Sequence, residues 1–313
     1  MAAMTRLVTI AIPCFNAGRW IDACVRSALG QTWPEKEVIV VDDGSTDGST
    51  EILEKFGGGI RLLHTTRRGA PHARNQALAQ ARGEWVQFLD ADDYLEPEKI
   101  AQQFAETHEG TGADVIYSPV LIETVSDSGT TRETSAADPA RDIHAQWIAW
   151  QIPQTGGALW RKSALEALGG WREDQPCCQE HELYLRALQA GQRFAYAPTP
   201  HAVYRIWSGQ TLCNRDPRLV IRERTKLIDA LHAWLAGRGA WTETHRRLAG
   251  QACFEMARTI AKYDLAEAAA YHHERRERGL LHLAGSAAPA GYRLAHRVLG
   301  FTAAEKLAAA RRR

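Results

Sequence analysis

Three clusters of side chains could share one chemistry: Pro13-Cys-Phe-Asn16, Asp42-Asp-Gly-Ser-Thr-Asp47 and Asp90-Ala-Asp-Asp93. A turn alone accounts for any one of them, since Asp, Asn and Gly favour turns. Three in one chain, each after an apolar run of strand length, point to a shared site. Asp90 and Asp92 alternate along extended backbone, so both can face one side with Ala91 turned away. Carboxylates gathered this way repel unless a cation neutralises them. Oxygen ligands of this kind suit Mg2+ or Mn2+, completed by phosphate oxygens and water. No G-x-G-x-x-G follows the first apolar run, and Gly157-Ala-Leu-Trp-Arg-Lys-Ser163 matches a Walker loop only by its last two residues. A diphosphate held through a metal fits better than one held by a glycine-rich loop.

The elements that must position these clusters follow from the hydrophobic pattern. Apolar runs at 7–13, 37–42, 60–64 and 84–90 read as strands. Between them Trp20, Ile21, Cys24, Val25 and Ala28 recur at helical spacing, and further helices are expected over 49–55 and 73–81. Strands alternating with helices, as continuous apolar runs, predict a mostly parallel, Rossmann-like sheet with helices on both faces. Ligands of such sheets bind beyond the carboxyl ends of the strands, where all three clusters fall. Further along, 114–125 is strand-like, 126–141 reads as a polar loop, and Trp147 and Trp150 belong to a short amphipathic segment. Strands are expected at 156–161, 194–197 and 202–206, and a helix at 179–190. From Pro217 the pattern is helical, over 219–235, 242–262 and 265–283, with two shorter helices near the end.

Composition narrows the class. The 313 residues are 45% hydrophobic and 24% charged, which suits a globular protein with a buried core. The net charge of +1 hides a split. Residues 1–217 carry 20 Lys and Arg against 28 Asp and Glu, a net of −8; residues 218–313 carry 18 against 9, a net of +9. Two domains are therefore expected, an α/β domain over 1–215 and a basic all-α region over 216–313. No apolar run is long enough to cross a bilayer, and Leu7–Phe15 reads as a buried strand, not a signal peptide. The six cysteines show no metal-ligand spacing, so reduced thiols in a cytoplasmic protein are expected. The basic helices would suit peripheral contact with an anionic membrane, and no recognition motif points to nucleic acid.

The segments IPCFNAGRWI, VIVVDDGSTDGS, RRGAPHARNQAL, GEWVQFLDADD, GGALWRKSALEALGGW, QEHELYLRALQAG and VYRIWS resemble, in order and spacing, the inverting family 2 glycosyltransferases of the GT-A fold. The resemblance covers roughly residues 7–210. It implies that Pro13, Phe15 and Asn16 border a nucleoside, and that Asp42 and Asp43 hold uracil and ribose. Arg68, Gly69 and Arg74 match the block that lies over the base. Asp90 and Asp92 resemble the DXD pair, with Mn2+ or Mg2+ mainly on Asp92. Glu180 aligns with the general base, where Gln179 replaces the first acid of the usual pair; Glu182 is the second choice. Trp207 stands where many members have a His that can ligate the metal. A Trp cannot ligate, but it could stack on a sugar.

Gly156, Gly157, Trp160 and Trp207 are the candidates for the acceptor side, with packing as the competing reading of each. His181, on an expected exposed helix start, reads as solvated. The resemblance implies transfer of a sugar from a nucleotide sugar, most simply UDP-linked, to a hydroxyl of a glycan or lipid-linked glycan, with inversion. Two rivals are weighed. A sugar-nucleotide nucleotidyltransferase would need a basic, glycine-rich loop that Pro13–Gly18 lacks. A non-catalytic carbohydrate-binding module would not need Asp90, Asp92 and Glu180.

Overall fold

The computed structural model describes residues 6–108, 110–126, 129–207 and 216–311. Its centre is β1 (Val8–Cys14), buried at all seven positions. β1 lies parallel to β2 (Lys36–Asp42) on one side and to β4 (Trp85–Phe88) on the other. β3 (Arg61–His64) continues the sheet beyond β2, again in parallel. These runs carry apolar residues on successive positions because helices cover both faces. The helices between them are α1 (Ile21–Leu29), α2 (Ser49–Glu54) and α3 (Ala70–Gln80). Beyond β4 come β9 (Ala158–Arg161), β6 (Val115–Tyr117) and β10 (Phe194–Tyr196). β9 is antiparallel to both neighbours, so the seven-stranded sheet is mostly parallel with one reversed strand.

A second sheet joins β5 (Tyr94–Leu95), β11 (Ala202–Ile206), β7 (Val120–Ser126) and β8 (Gly129–Thr134) in that order. Two sequence expectations change here. The strand-like run 114–125 is divided between the two sheets, broken at Ser118. Part of the expected loop at 126–141 is β8, which pairs antiparallel with β7 from Leu121↔Thr134 to Ser126↔Gly129. All six β8 residues are exposed, so no apolar alternation announces the strand. Helices α4 (Lys99–Glu106), α6 (Lys162–Ala167) and α7 (Gln179–Gln189) complete this part.

Aromatic packing and buried polar links hold the main sheet to its surroundings. Trp85 meets Phe104 edge-on at 5.5 Å, and Trp33 packs on Phe104 at 4.6 Å. Gln87 on β4 donates to the Gly156 carbonyl at 3.0 Å and accepts from the fully buried Lys99 ammonium. Burial pushes the Lys99 pKa well down.

The chain divides into two compact units, one of residues 1–139 and 151–214, the other of residues 140–150 and 215–313. The expected boundary at residue 215 lies outside the described residues. The helical unit contains α5 (Ile143–Ile148), α8 (Pro217–Ala236), α9 (Glu243–Ile260), α10 (Leu265–Glu277) and α11 (Ala290–Ala310). The short amphipathic segment is thus α5, whose Trp147 is fully buried. The two short helices expected at the end form α11, which is broken at Gly300, where φ is 78°. Inside this unit His272 and His296 face each other, Nε2 to Nε2, at 3.0 Å, and burial takes His272 down to a pKa of about 4. Cys14, Cys24 and Cys253 are free, buried thiols, and Cys177 and Cys178 are buried with their sulfurs 3.9 Å apart; Cys213 lies outside the described residues.

Candidate active site

The ends of β1 and β2 build the first wall. Asp42 closes β2 opposite Cys14, and the Asp43 N–H donates to the Cys14 carbonyl at 2.8 Å. Asp42 accepts from the Ser45 N–H at 3.0 Å and from the Thr50 hydroxyl at 2.5 Å. Asp43 accepts from the N–H groups of Arg68 at 2.8 Å and Gly69 at 2.6 Å. Both side chains are buried, and each organises a loop through both of its carboxylate oxygens. Asn16, in the left-handed region at φ 49°, accepts from the Thr46 N–H at 2.8 Å and so ties the first cluster to the second. Phe15 is exposed, with the Arg67 guanidinium 4.9 Å from its ring centre; Pro13 is buried within β1.

Gly69 turns the chain into α3. Its φ of +95° and ψ of 161° belong to a region essentially restricted to glycine. The turn aims Arg74, on the second turn of α3, into the site, where it is buried. Arg74 donates from Nη2 to Asp90 Oδ1 at 2.6 Å and from Nη1 to Gln179 Oε1 at 3.0 Å. Its guanidinium lies 4.4 Å over the Trp171 ring. Its Nε has no hydrogen-bond partner among the described residues. Arg68 reaches Glu173 at 3.2 Å, and His72 and Asn75 contact the same carboxylate.

Asp90, Asp92 and Asp93 follow β4 and are gathered at one corner. Burial, and then Asp90 and Asp92, push the Asp93 carboxyl well above its ordinary range; burial likewise raises Asp92. Arg205 donates its backbone N–H to Asp93 at 2.7 Å and its Nη1 to the Asp92 carbonyl at 2.7 Å. It lies between the rings of Trp20 and Tyr94, at 4.4 and 4.7 Å from their centres. The Trp207 indole N–H donates to Asp92 Oδ2 at 2.9 Å. The donor set is all oxygen, the kind a hard divalent cation takes.

The opposite wall is the start of α7. Thr155 Oγ1 donates to Glu180 Oε1 at 2.7 Å, which fixes one of its two oxygens. Gln179 accepts from Arg74, so Asp90 and the first turn of α7 share one guanidinium. Glu182 is paired with Arg186 at 2.7 and 2.8 Å, and Arg186 also donates to the Leu168 and Gly170 carbonyls. It is committed to packing α7.

Several side chains differ from their expected settings. His181 is buried, not solvated, because α7 packs along that face. Trp160 is only 2% exposed and stacks on Tyr184 at 5.3 Å, so it cannot line an acceptor path. Gly157 is a packing glycine: a Cβ there would sit 2.5 Å from Pro153 Cβ and 2.9 Å from the Ser118 carbonyl oxygen. Gly156 is buried too, with Ala202 Cβ the nearest atom to such a Cβ at 3.4 Å. Of the four acceptor-side candidates Trp207 alone is exposed, 5.8 Å from Trp20. Sequence reasoning missed Arg205, Thr155 and Glu173. A single Arg on a short strand or a Thr before two glycines carries no signal of its own.

Among the described residues, one group of three metal-capable side chains lies within 4.8 Å, and it belongs to the helical unit: Asp142, His144 and His245. His245 Nδ1 accepts from the Thr242 N–H at 3.2 Å, which puts its proton on Nε2, facing Asp142 at 3.1 Å. Binding a cation through Nε2 would move that proton to Nδ1, against another donor. The group is satisfied as a hydrogen-bonded staple in which Asp142 also caps α5.

Residues 9–169, more than half the chain, match the family described as Glycosyl transferase family 2. The chain belongs to that family. Glycosyltransferase GlyG of Streptococcus pneumoniae serotype 4 (strain ATCC BAA-334 / TIGR4) is 35% identical over 117 residues, covering 36% of this chain and 38% of GlyG. The matched regions span 10% to 61% of the length of such curated relatives. The crystal structure of S. aureus TarS 1–349 with UDP-GlcNAc superposes with a TM-score of 0.59 at 19% identity, covering 88% of this chain and 90% of that one. A mannosyltransferase from Pyrobaculum calidifontis, solved with GDP-Man and Mn2+, gives 0.53 at 20% identity, covering 98% and 80%. The family 2 chain therefore has a GT-A fold followed by a helical region.

Proposed function

We propose that the protein transfers a sugar from a nucleotide sugar, UDP-linked, to an acceptor hydroxyl, with inversion and with Mn2+ or Mg2+. One observation carries this reading. The loop after β1 is tied to the loop after β2 by the Asn16–Thr46 bond, that loop to the start of α3 by the Asp43–Gly69 bond, and α3 to both the loop after β4 and the first turn of α7 by the Asp90–Arg74–Gln179 bonds. TarS and the mannosyltransferase, solved with nucleotide sugars, supply the fold precedent.

Phe15, Asn16, Asp42, Asp43, Arg68 and Gly69 would border the nucleoside, with Pro13 shaping the strand beneath. Asp92, with Asp90 beside it, would hold the cation, which when bound neutralises the diphosphate leaving group. Arg74 anchors Asp90 by a charge-assisted bond. Glu180 would take the proton of the acceptor hydroxyl as its oxygen bonds to the anomeric carbon and the bond to the diphosphate breaks. One in-line displacement turns an α-linked donor into a β-linked product. The test is a panel of nucleotide sugars with Mn2+ present. A UDP-sugar should raise the melting temperature and be consumed with acceptor; no stabilisation or turnover with any of them would refute the reading.

The acceptor is proposed to be a glycan, in lipid-linked form, met at the inner face of a membrane by a cytoplasmic protein. No described helix is long and apolar enough to cross a membrane. The support is the +9 helical region together with Leu294 and Val298, exposed one helical turn apart beside Arg293 and Arg297 on α11. Sedimentation with anionic vesicles should exceed that with neutral ones; equal sedimentation would remove the membrane part alone.

A further inference from the structure

The last residues of β11 and the one after it grip the Asp92–Asp93 corner at three atoms. Arg205 bonds the Asp93 carboxylate through its backbone and the Asp92 carbonyl through its guanidinium. Trp207 bonds the Asp92 carboxylate itself, at 2.9 Å. Trp207 is 41% exposed. Among the described residues its ring neighbours are Trp20, at 5.8 Å, and Arg19, whose guanidinium is 6.0 Å from the ring centre. An indole N–H is a donor and nothing else, so it can orient a carboxylate but cannot ligate a metal. The indole fixes Asp92 Oδ2.

We infer that Trp207 is a positioning residue for Asp92: it holds one carboxylate oxygen so that the other is presented to the divalent cation. The inference rests on the metal-dependent reading above. Partners that orient a metal-binding carboxylate typically contribute about 10- to 100-fold in metal affinity or activity.

Trp207→Phe keeps a ring and removes the donor. Mn2+ binding is measured by electron paramagnetic resonance in the presence of UDP or GDP, together with the Mn2+ dependence of turnover and the melting temperature. The variant should bind Mn2+ about tenfold more weakly in the nucleotide complex. Excess Mn2+ should restore its kcat, with the donor KM at saturating Mn2+ unchanged. An unchanged Mn2+ affinity overturns the inference, whether or not the melting temperature moves. So does a weakened variant that excess Mn2+ fails to rescue. If the unaltered protein binds no Mn2+ with either nucleotide, the metal-dependent reading falls first, and the role of Trp207 falls with it.

Discussion

Replacing Asp92 by Ala is expected to lower transfer by about a thousandfold or more at saturating Mn2+, while the protein still folds. Stabilising the charge that grows on a departing diphosphate is worth several kcal/mol, and each 1.36 kcal/mol is about a factor of ten. The backbone carbonyl of Asp92 still accepts from Arg205 in the variant, and Asp93 still accepts from the Arg205 N–H, so the corner keeps its frame. Removing a carboxylate from a cluster that already raises its members also relieves repulsion. The melting temperature should therefore hold or rise. Turnover equal to that of the unaltered protein would end the metal assignment, and a collapse in stability would move Asp92 from chemistry to structure.

Glu180→Gln is expected to bind donor as before and to lose transfer by about 100- to 10,000-fold, the usual range for a general base. The amide preserves shape and can still accept from Thr155, so the start of α7 keeps its hydrogen bond. What disappears is an oxygen able to take a proton. Glu182→Gln makes the contrast. Its carboxylate is held by Arg186, and losing that ion pair should cost stability rather than chemistry. Measured kcat, donor affinity and melting temperature for the two variants separate the roles. Loss of transfer with intact stability in Glu182→Gln would reverse the assignment.

The parts legible in the sequence were those in which local pattern and tertiary role coincide. β1, β2 and β4 read as buried strands because their residues meet helices on both faces, and the acidic clusters fall where those strands end. The alternation around β8 was invisible, since a strand exposed on both faces needs no apolar residues. The acceptor-side candidates show a different limit. Trp160, Gly156 and Gly157 lie close in sequence to residues that could do chemistry, yet neighbouring backbone and side chains occupy the space around them. Conversely, Arg205 and Thr155 matter through partners 113 and 25 residues away, and no local pattern records such pairs. The Arg74 link to Gln179 has the same character, crossing 105 positions.

The loan of residues 140–150 to the helical unit has a consequence for how the chain acquires its structure. α5 packs on α9, about a hundred residues further on, and Asp142 meets His245 across 103 positions. That closure must wait until residues 151–214 have been made, and contacts so distant along a chain form slowly. On the ribosome, the buried face of α5, with Ala145, Trp147 and Ile148, emerges long before its cover. A chain cut off before α9 would keep that face with no partner from α9, which makes the helical unit unsuited to removal as a cassette.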